Sequence, residues 1–165
     1  MSAFTIRNAH DDDFDRIFEL WLENQAMAIG QAIEQNQIAA FRAELLHTFS
    51  RSHSHYYVAV SDDNNIIGWQ SLTPLFSNPV MDSHISQSST YVDKAFFRLN
   101  IAHALFEHAY RAAKNSGISH IYGWVQPNNK AIHEIASHFK HYKHSVPGSS
   151  NGKVPEFNLY VVVVE

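Results

Sequence analysis

The chain has 165 residues, enough for one domain with a sizeable core. Hydrophobic residues make up 45% and charged residues 17%, which is a globular composition and excludes a disordered one. A formal net charge of -4 gives no pull toward nucleic acid or an anionic membrane, and the lack of cysteine excludes disulfides and thiolate-held zinc or iron–sulfur sites. The start, Met1-Ser2-Ala3-Phe4-Thr5-Ile6-Arg7, has no long apolar run behind basic residues. The apolar stretch Tyr160 to Val164 is too short to span a bilayer. The expectation is a soluble, cytoplasmic protein with no nucleic-acid or membrane partner.

In chain order, Phe4-Thr5-Ile6-Arg7 alternates as a strand does. Asp11-Asp12-Asp13 then places capping oxygens and negative charge at a helix start. Phe14, Ile17, Phe18, Trp21 and Leu22 recur at helical spacing. Gln31 to Gln37 reads as a loop, and Gln37 to Ser50 as a second helix with Ile38, Phe41, Leu45, Leu46 and Phe49 on one side. Tyr56 to Val60 and Ile66 to Leu72 form a hairpin around the turn residues Ser61-Asp62-Asp63-Asn64-Asn65. Ser77 to His84 is a loop, and Ile85 to Val92 a strand.

A helix over Ile101 to Asn115 carries the stripe Ile101, Ala102, Leu105, Phe106, Ala109, and Gly117 is its stop signal. Ile118 to Gln126 reads as a strand, Lys130 to Ser137 as a short helix, and Phe139 to Val146 and Phe157 to Val164 as strands. The turn-rich run Pro147 to Gly152 separates the last two. The order β-α-α-β-β-β-α-β-α-β-β predicts a single α/β domain over residues 1–165, a mixed sheet with helices on its faces.

Twelve histidines call for a metal test. His133 and His138 are five apart, whereas a zinc-protease helix needs four to place both imidazoles on one face. His138, His141 and His144 fall at intervals of three, which on a strand alternates faces, and His53 with His55 makes only two ligands. No metal is expected.

The segment Thr90-Tyr91-Val92-Asp93-Lys94-Ala95-Phe96-Phe97-Arg98-Leu99-Asn100-Ile101-Ala102-His103-Ala104-Leu105 resembles the strand, pyrophosphate loop and helix start of the Gcn5-related N-acetyltransferases. Members carry Gln/Arg-x-x-Gly-x-Gly/Ala there. Phe97 stands at the Gln/Arg position, Asn100 at the first glycine and Ala102 at the final small residue. A helix N-terminus suits a pyrophosphate, Arg98 offers a charge-assisted bond, and asparagine tolerates positive φ better than most residues. Ser88-Ser89-Thr90-Tyr91-Val92, and Asn128 followed by Ala131-Ile132-His133-Glu134, are similar to the phosphinothricin acetyltransferase-like branch. The resemblance spans about residues 4 to 146.

The resemblance implies a mostly antiparallel central sheet flanked by helices, with acetyl-CoA as co-substrate and a primary amine of a small molecule as acceptor. It implies acyl-CoA contacts at Tyr91, Val92, Phe97, Arg98, Leu99, Asn100, Ile101, Ala102, His103 and Asn128, and a homodimer. Tyr91 and Val92 would position the thioester carbonyl with backbone groups. Gln87 stands where the branch places a glutamate base. No tyrosine lies between Ile132 and Phe139, where the family often carries one that protonates the leaving thiolate, and His138 replaces a small residue. Gln87, Tyr91 and His120 are thus the catalytic candidates, with His84 as a second histidine that could serve as base. Trp69 and Gln70, with Trp21 and Met27 near the end of the first helix, are the acceptor-side candidates, although aromatics at such spacing also read as core. The rival reading is a non-catalytic acyl-CoA-binding or regulatory module. A metal-dependent hydrolase is disfavoured by the histidine spacing.

Overall fold

The computed structural model describes residues 4–29 and 32–165, apart from the side chains of Ile29, Arg98 and Leu99. The elements follow one another as the sequence pattern predicts, with 3-10 turns added at Asp11–Asp13 and Lys94–Leu99. They form two compact units: residues up to Thr73 together with Ser89–Ala109, and Pro74–Ser88 together with Tyr110–Glu165.

In the first unit, β1 (Phe4–Asn8), β2 (His55–Ser61) and β3 (Ile66–Pro74) pair antiparallel. Phe4 lies opposite Ser61 and His55 opposite Leu72, with a register shift between Ala59 and Val60. The unit also holds the end of β4 (Ile85–Val92), α1 (Phe14–Ile29), α2 (Gln35–Phe49) and the first half of α3 (Ile101–Ser116). One face of the strands packs on α1, where Ile17, Leu20, Tyr56, Val58, Val60 and Trp69 form the core. An aromatic chain runs through it from Phe14 to Phe49, Tyr56, Trp69 and Tyr91, with ring centroids 4.7 to 5.5 Å apart. The other face meets α3. There Tyr57 contacts the His108 ring at 5.0 Å, and a Cβ on Gly68 would lie 3.2 Å from both Ile101 Cγ2 and the Tyr91 carbonyl oxygen. Cover on both faces explains why β2 and β3 read as unbroken buried runs.

The second unit joins the start of β4 in parallel to β5 (His120–Val125). Antiparallel pairs then link β5 to β7 (Phe157–Val163) and β7 to β6 (His141–Val146). The sheet is therefore mixed and mostly antiparallel. The helix α4 (Lys130–Ser137) supplies Ala136 and Ile132 to a small core with Val125 and Tyr160.

Several boundaries shift. The helix α2 begins at Gln35, so Gln35 to Gln37 are helical where a loop was expected, and Gln31 lies outside the described residues. None of the α2 residues is fully buried, so its amphipathic stripe only half-packs. The strand β5 starts at His120 because Ile118 closes the helix end: its N–H bonds the Ala113 carbonyl at 3.0 Å while Gly117 takes φ 78°. The strand β6 starts at His141, since the Phe139 N–H is spent on the Ala136 carbonyl at 3.1 Å.

Candidate active site

At the end of β4 the chain makes a tight passage into α3. Asp93 caps the 3-10 turn, its carboxylate accepting from the Ala95 N–H at 2.9 Å. The turn ends at Asn100, which adopts the left-handed conformation with φ 57° and ψ 25°. Asparagine reaches this region at lower cost than other residues with a Cβ, so the bend made by glycine in the resembled loop is kept. The bond from the Ala104 N–H to the Asn100 carbonyl, 3.2 Å, opens α3. The N–H groups of Ile101, Ala102 and His103 precede that bond and head the helix, where the dipole favours an anion. Ile101 is buried, Ala102 and His103 are half-buried, and Phe97 is 56% exposed with neither charge nor hydrogen-bonding group. Arg98 and Leu99 belong to the turn; their side chains lie outside the described residues.

The residues just before this loop are tied to α1. Asn24 donates to the Val92 carbonyl at 3.2 Å and to the Leu20 carbonyl at 2.8 Å. Gln25 donates to the Tyr91 hydroxyl oxygen at 3.2 Å. Burial pushes the Tyr91 phenol above its ordinary value, while hydrogen bonds from Gln25 and Trp21 pull the other way; the net rise keeps it protonated at neutral pH. Tyr91 can therefore act as a donor but not as a base. Arg16 reaches Asp93 at 2.8 Å. These α1 contacts were not foreseen. Arg16 and Asp93 are 77 positions apart, and only the polar residues spaced along one side of an apolar helix hinted at a long-range role.

Of the acceptor-side candidates, Trp21 is half-buried, with Phe18 stacked at 5.8 Å and Phe41 edge-on at 5.6 Å. Met27 is 46% exposed. Trp69 is closed off from solvent, its Nε1–H donating to the Ile17 carbonyl at 3.0 Å. Gln70 is also fully buried. Its Nε2 donates to the Ser71 carbonyl at 3.0 Å and its Oε1 accepts from the Thr90 hydroxyl. As neighbours on β3, Trp69 and Gln70 face opposite sides, so they do not form one wall.

In the second unit the parallel register sets Ile85 beside His120 and Gln87 beside Tyr122. Paired residues in a ladder share a face, so Gln87 and His120 lie on the same side, one side-chain step apart along the strands. The Ser119 hydroxyl donates to the His84 carbonyl at 3.1 Å, leaving its oxygen to accept from His120 Nδ1 at 2.9 Å. In the neutral ring this places the His120 proton on Nδ1 and the lone pair on Nε2. His84 is exposed and spends Nδ1 on the Gly117 carbonyl at 3.1 Å. Asn128 is exposed ahead of α4; the cap of that helix is Asn129, whose Oδ1 accepts from the Ile132 N–H at 3.3 Å. His133 bonds the Pro127 carbonyl through Nε2 at 3.1 Å, so its Nδ1 accepts from the Tyr160 hydroxyl. A tyrosine thus reaches α4 from β7, although none lies in the helix sequence. Among the described residues no three His, Asp or Glu side chains are grouped to hold a metal ion, and no helix is long and apolar enough to cross a membrane.

Residues 8–138 match the sequence profile of the family described as the acetyltransferase (GNAT) family. No curated protein is significantly similar in sequence. Among solved structures, a GCN5-related N-acetyltransferase from Kribbella flavida is similar at 21% identity, with 98% of each chain covered and a TM-score of 0.78. An N-acetyltransferase from Staphylococcus aureus Mu50 superposes with a TM-score of 0.77 at 19% identity, over 99% of this chain and 100% of that one. A phosphinothricin acetyltransferase of the GNAT superfamily from Sinorhizobium meliloti, in complex with AcCoA, gives 0.74 at 17% identity, over 99% and 89%.

Proposed function

The chain belongs to the acetyltransferase (GNAT) family and is an acyltransferase, and from that premise we propose that it moves an acetyl group from acetyl-CoA to the primary amine of a small molecule by direct attack. The observation that carries this reading is the left-handed Asn100 at the head of α3, which keeps the turn into the helix N-terminus where the glycine of the loop is missing. Acetyl-CoA supplies the activated carbonyl: the amine nitrogen bonds to it as the C–S bond breaks, and coenzyme A leaves as its thiolate, which takes a proton from solvent. The chain has no cysteine to carry a covalent thioester, consistent with a ternary complex.

In this reading the pyrophosphate rests on the N–H groups of Ile101, Ala102 and His103, with Arg98 and Asn128 as further contacts. The backbone of Tyr91 and Val92, held by α1, aligns the thioester. His120, with Nε2 unprotonated, takes the amine proton; the Gln87 amide beside it on the same face orients the amine but cannot accept a proton. Trp21 and Met27 belong to the acceptor side with Trp69 as buried support beneath them, while Gln70, on the opposite face of β3, supports the strand from the α3 side. A cytoplasmic homodimer completes the proposal.

The test is titration calorimetry with acetyl-CoA, using dephospho-CoA as contrast, followed by thiol release across a panel of primary amines. Micromolar binding and turnover, with turnover falling about 100-fold in His120→Gln, are expected. No heat at millimolar acetyl-CoA sinks the proposal. Binding without turnover against any amine would favour the non-catalytic module, which the neutral Gln87 and uncharged Phe97 suggest. Sedimentation velocity tests the dimer.

A further inference from the structure

Arg16 sits on α1 with its guanidinium fork spent three ways. Nη2 donates to Asp93 Oδ2 at 2.8 Å, Nε to the Ile66 carbonyl at 3.3 Å and Nη1 to Glu19 at 3.1 Å. The Ile66 carbonyl opens β3, and Asp93 follows β4 and begins the loop, where its own N–H bonds the Ile67 carbonyl at 2.9 Å. A single planar group therefore fixes α1, the first residue of β3 and the entrance of the loop to one another, a geometry lysine cannot reproduce. Asp93 uses its other oxygen to cap the turn through Ala95. Asn24 and Gln25, two turns further along α1, hold Val92 and Tyr91.

The bridge borders an open cleft of about 500 Å³, and the two side chains keep 32% and 17% of their surface exposed. A half-buried pair of this kind contributes modestly to stability. Its consequence lies in position and charge. The loop lacks the glycine flexibility of the resembled pattern, so its path is set by its anchors. An unpaired carboxylate at its entrance would also repel a bound pyrophosphate.

We infer that Arg16 is a positioning residue for acyl-CoA binding, acting through Asp93. The inference rests on the cofactor reading above.

The test is a double-variant cycle on the full chain: Arg16→Ala, Asp93→Asn and both together, each measured for acetyl-CoA affinity by calorimetry and for melting temperature. Asp93→Asn keeps an oxygen to cap Ala95 and removes only the charge, so it isolates the ion pair from the cap. Arg16→Ala is expected to weaken acetyl-CoA about tenfold while the melting temperature moves by only a few degrees. The double variant is expected to bind no more weakly than Arg16→Ala alone, and Arg16→Lys to recover part of the loss. If the wild type fails to bind acetyl-CoA, the cofactor reading falls and this inference falls with it. If the wild type binds and Arg16→Ala matches it within twofold, or the two losses multiply in the double variant, only the positioning role is overturned.

Discussion

Asn100 shows how one residue can stand in for another through backbone conformation alone. Its side chain is not what the loop needs; its tolerance of φ 57° is. Asn100→Gly is therefore expected to leave stability within about 0.5 kcal/mol and acetyl-CoA affinity unchanged or better, by denaturant titration and calorimetry. Asn100→Val, with its branched Cβ at the same φ, is expected to cost about 1–2 kcal/mol and to abolish binding. Asp13 makes a different point. The Arg7 guanidinium, bonded at 2.6 and 3.0 Å, and the His10 N–H at 2.7 Å hold its carboxyl below the ordinary aspartate value. A depressed folded value means stability that is present above the unfolded pKa and lost as pH falls through the folded one. Asp13→Asn keeps an acceptor for His10 and loses the charge. It is expected to be about 1 kcal/mol less stable at pH 7, with the gap to the wild type closing below about pH 4.

At the scale of elements, the close approach of β3 to α3 depends on a missing side chain. A Cβ on Gly68 would crowd Ile101, Leu105 and the Tyr91 carbonyl within 3.2 to 3.3 Å, and the carbonyl belongs to a strand that cannot yield alone. Gly68→Ala is expected to destabilise by about 1–3 kcal/mol in thermal melts and to weaken acetyl-CoA, because the same push displaces Ile101 at the helix head. The elements themselves were largely legible. The stripe from Ile101 to Ala109 with Gly117 behind it specified α3 within a residue, and the turn residues around Asp63 marked the hairpin. The 3-10 turn at Lys94–Leu99 was hidden because its six residues show no helical period, and the cap at Asp93 was its one signal. Trp69 and Gln70 could be placed on β3 from the hairpin pattern. Which face met a helix could not, because both faces are covered and polarity no longer tells them apart.

At the scale of the whole chain, the two units are interleaved in sequence: the chain passes from one to the other at Thr73, at Ser88 and at Ala109. The strand β4 and the helix α3 each contribute residues to both. We propose that residues 1–165 unfold as one domain, since neither unit can be lost without breaking an element of the other. Far-ultraviolet dichroism and tryptophan emission should then give coincident urea transitions; two separated midpoints would refute it. The candidate site was legible at this scale only where it is local in sequence, as in the run from Tyr91 to His103. The pairing of Gln87 with Tyr122 beside His120, the reach of Tyr160 to His133 and the grip of Arg16 on Asp93 are products of topology, and a linear pattern does not announce them.

The indoles are placed so that the protein carries its own optical readout. Trp69 is 1% exposed beneath the Tyr91 ring, whereas Trp124 is 50% exposed against the edge of Phe157. Iodide in solution will collide with the second and not the first, and less with the half-buried Trp21, so the most quenchable part of the emission belongs to the strand that starts at His120. An acceptor laid along that strand would shield the light from Trp124 without any label having been attached.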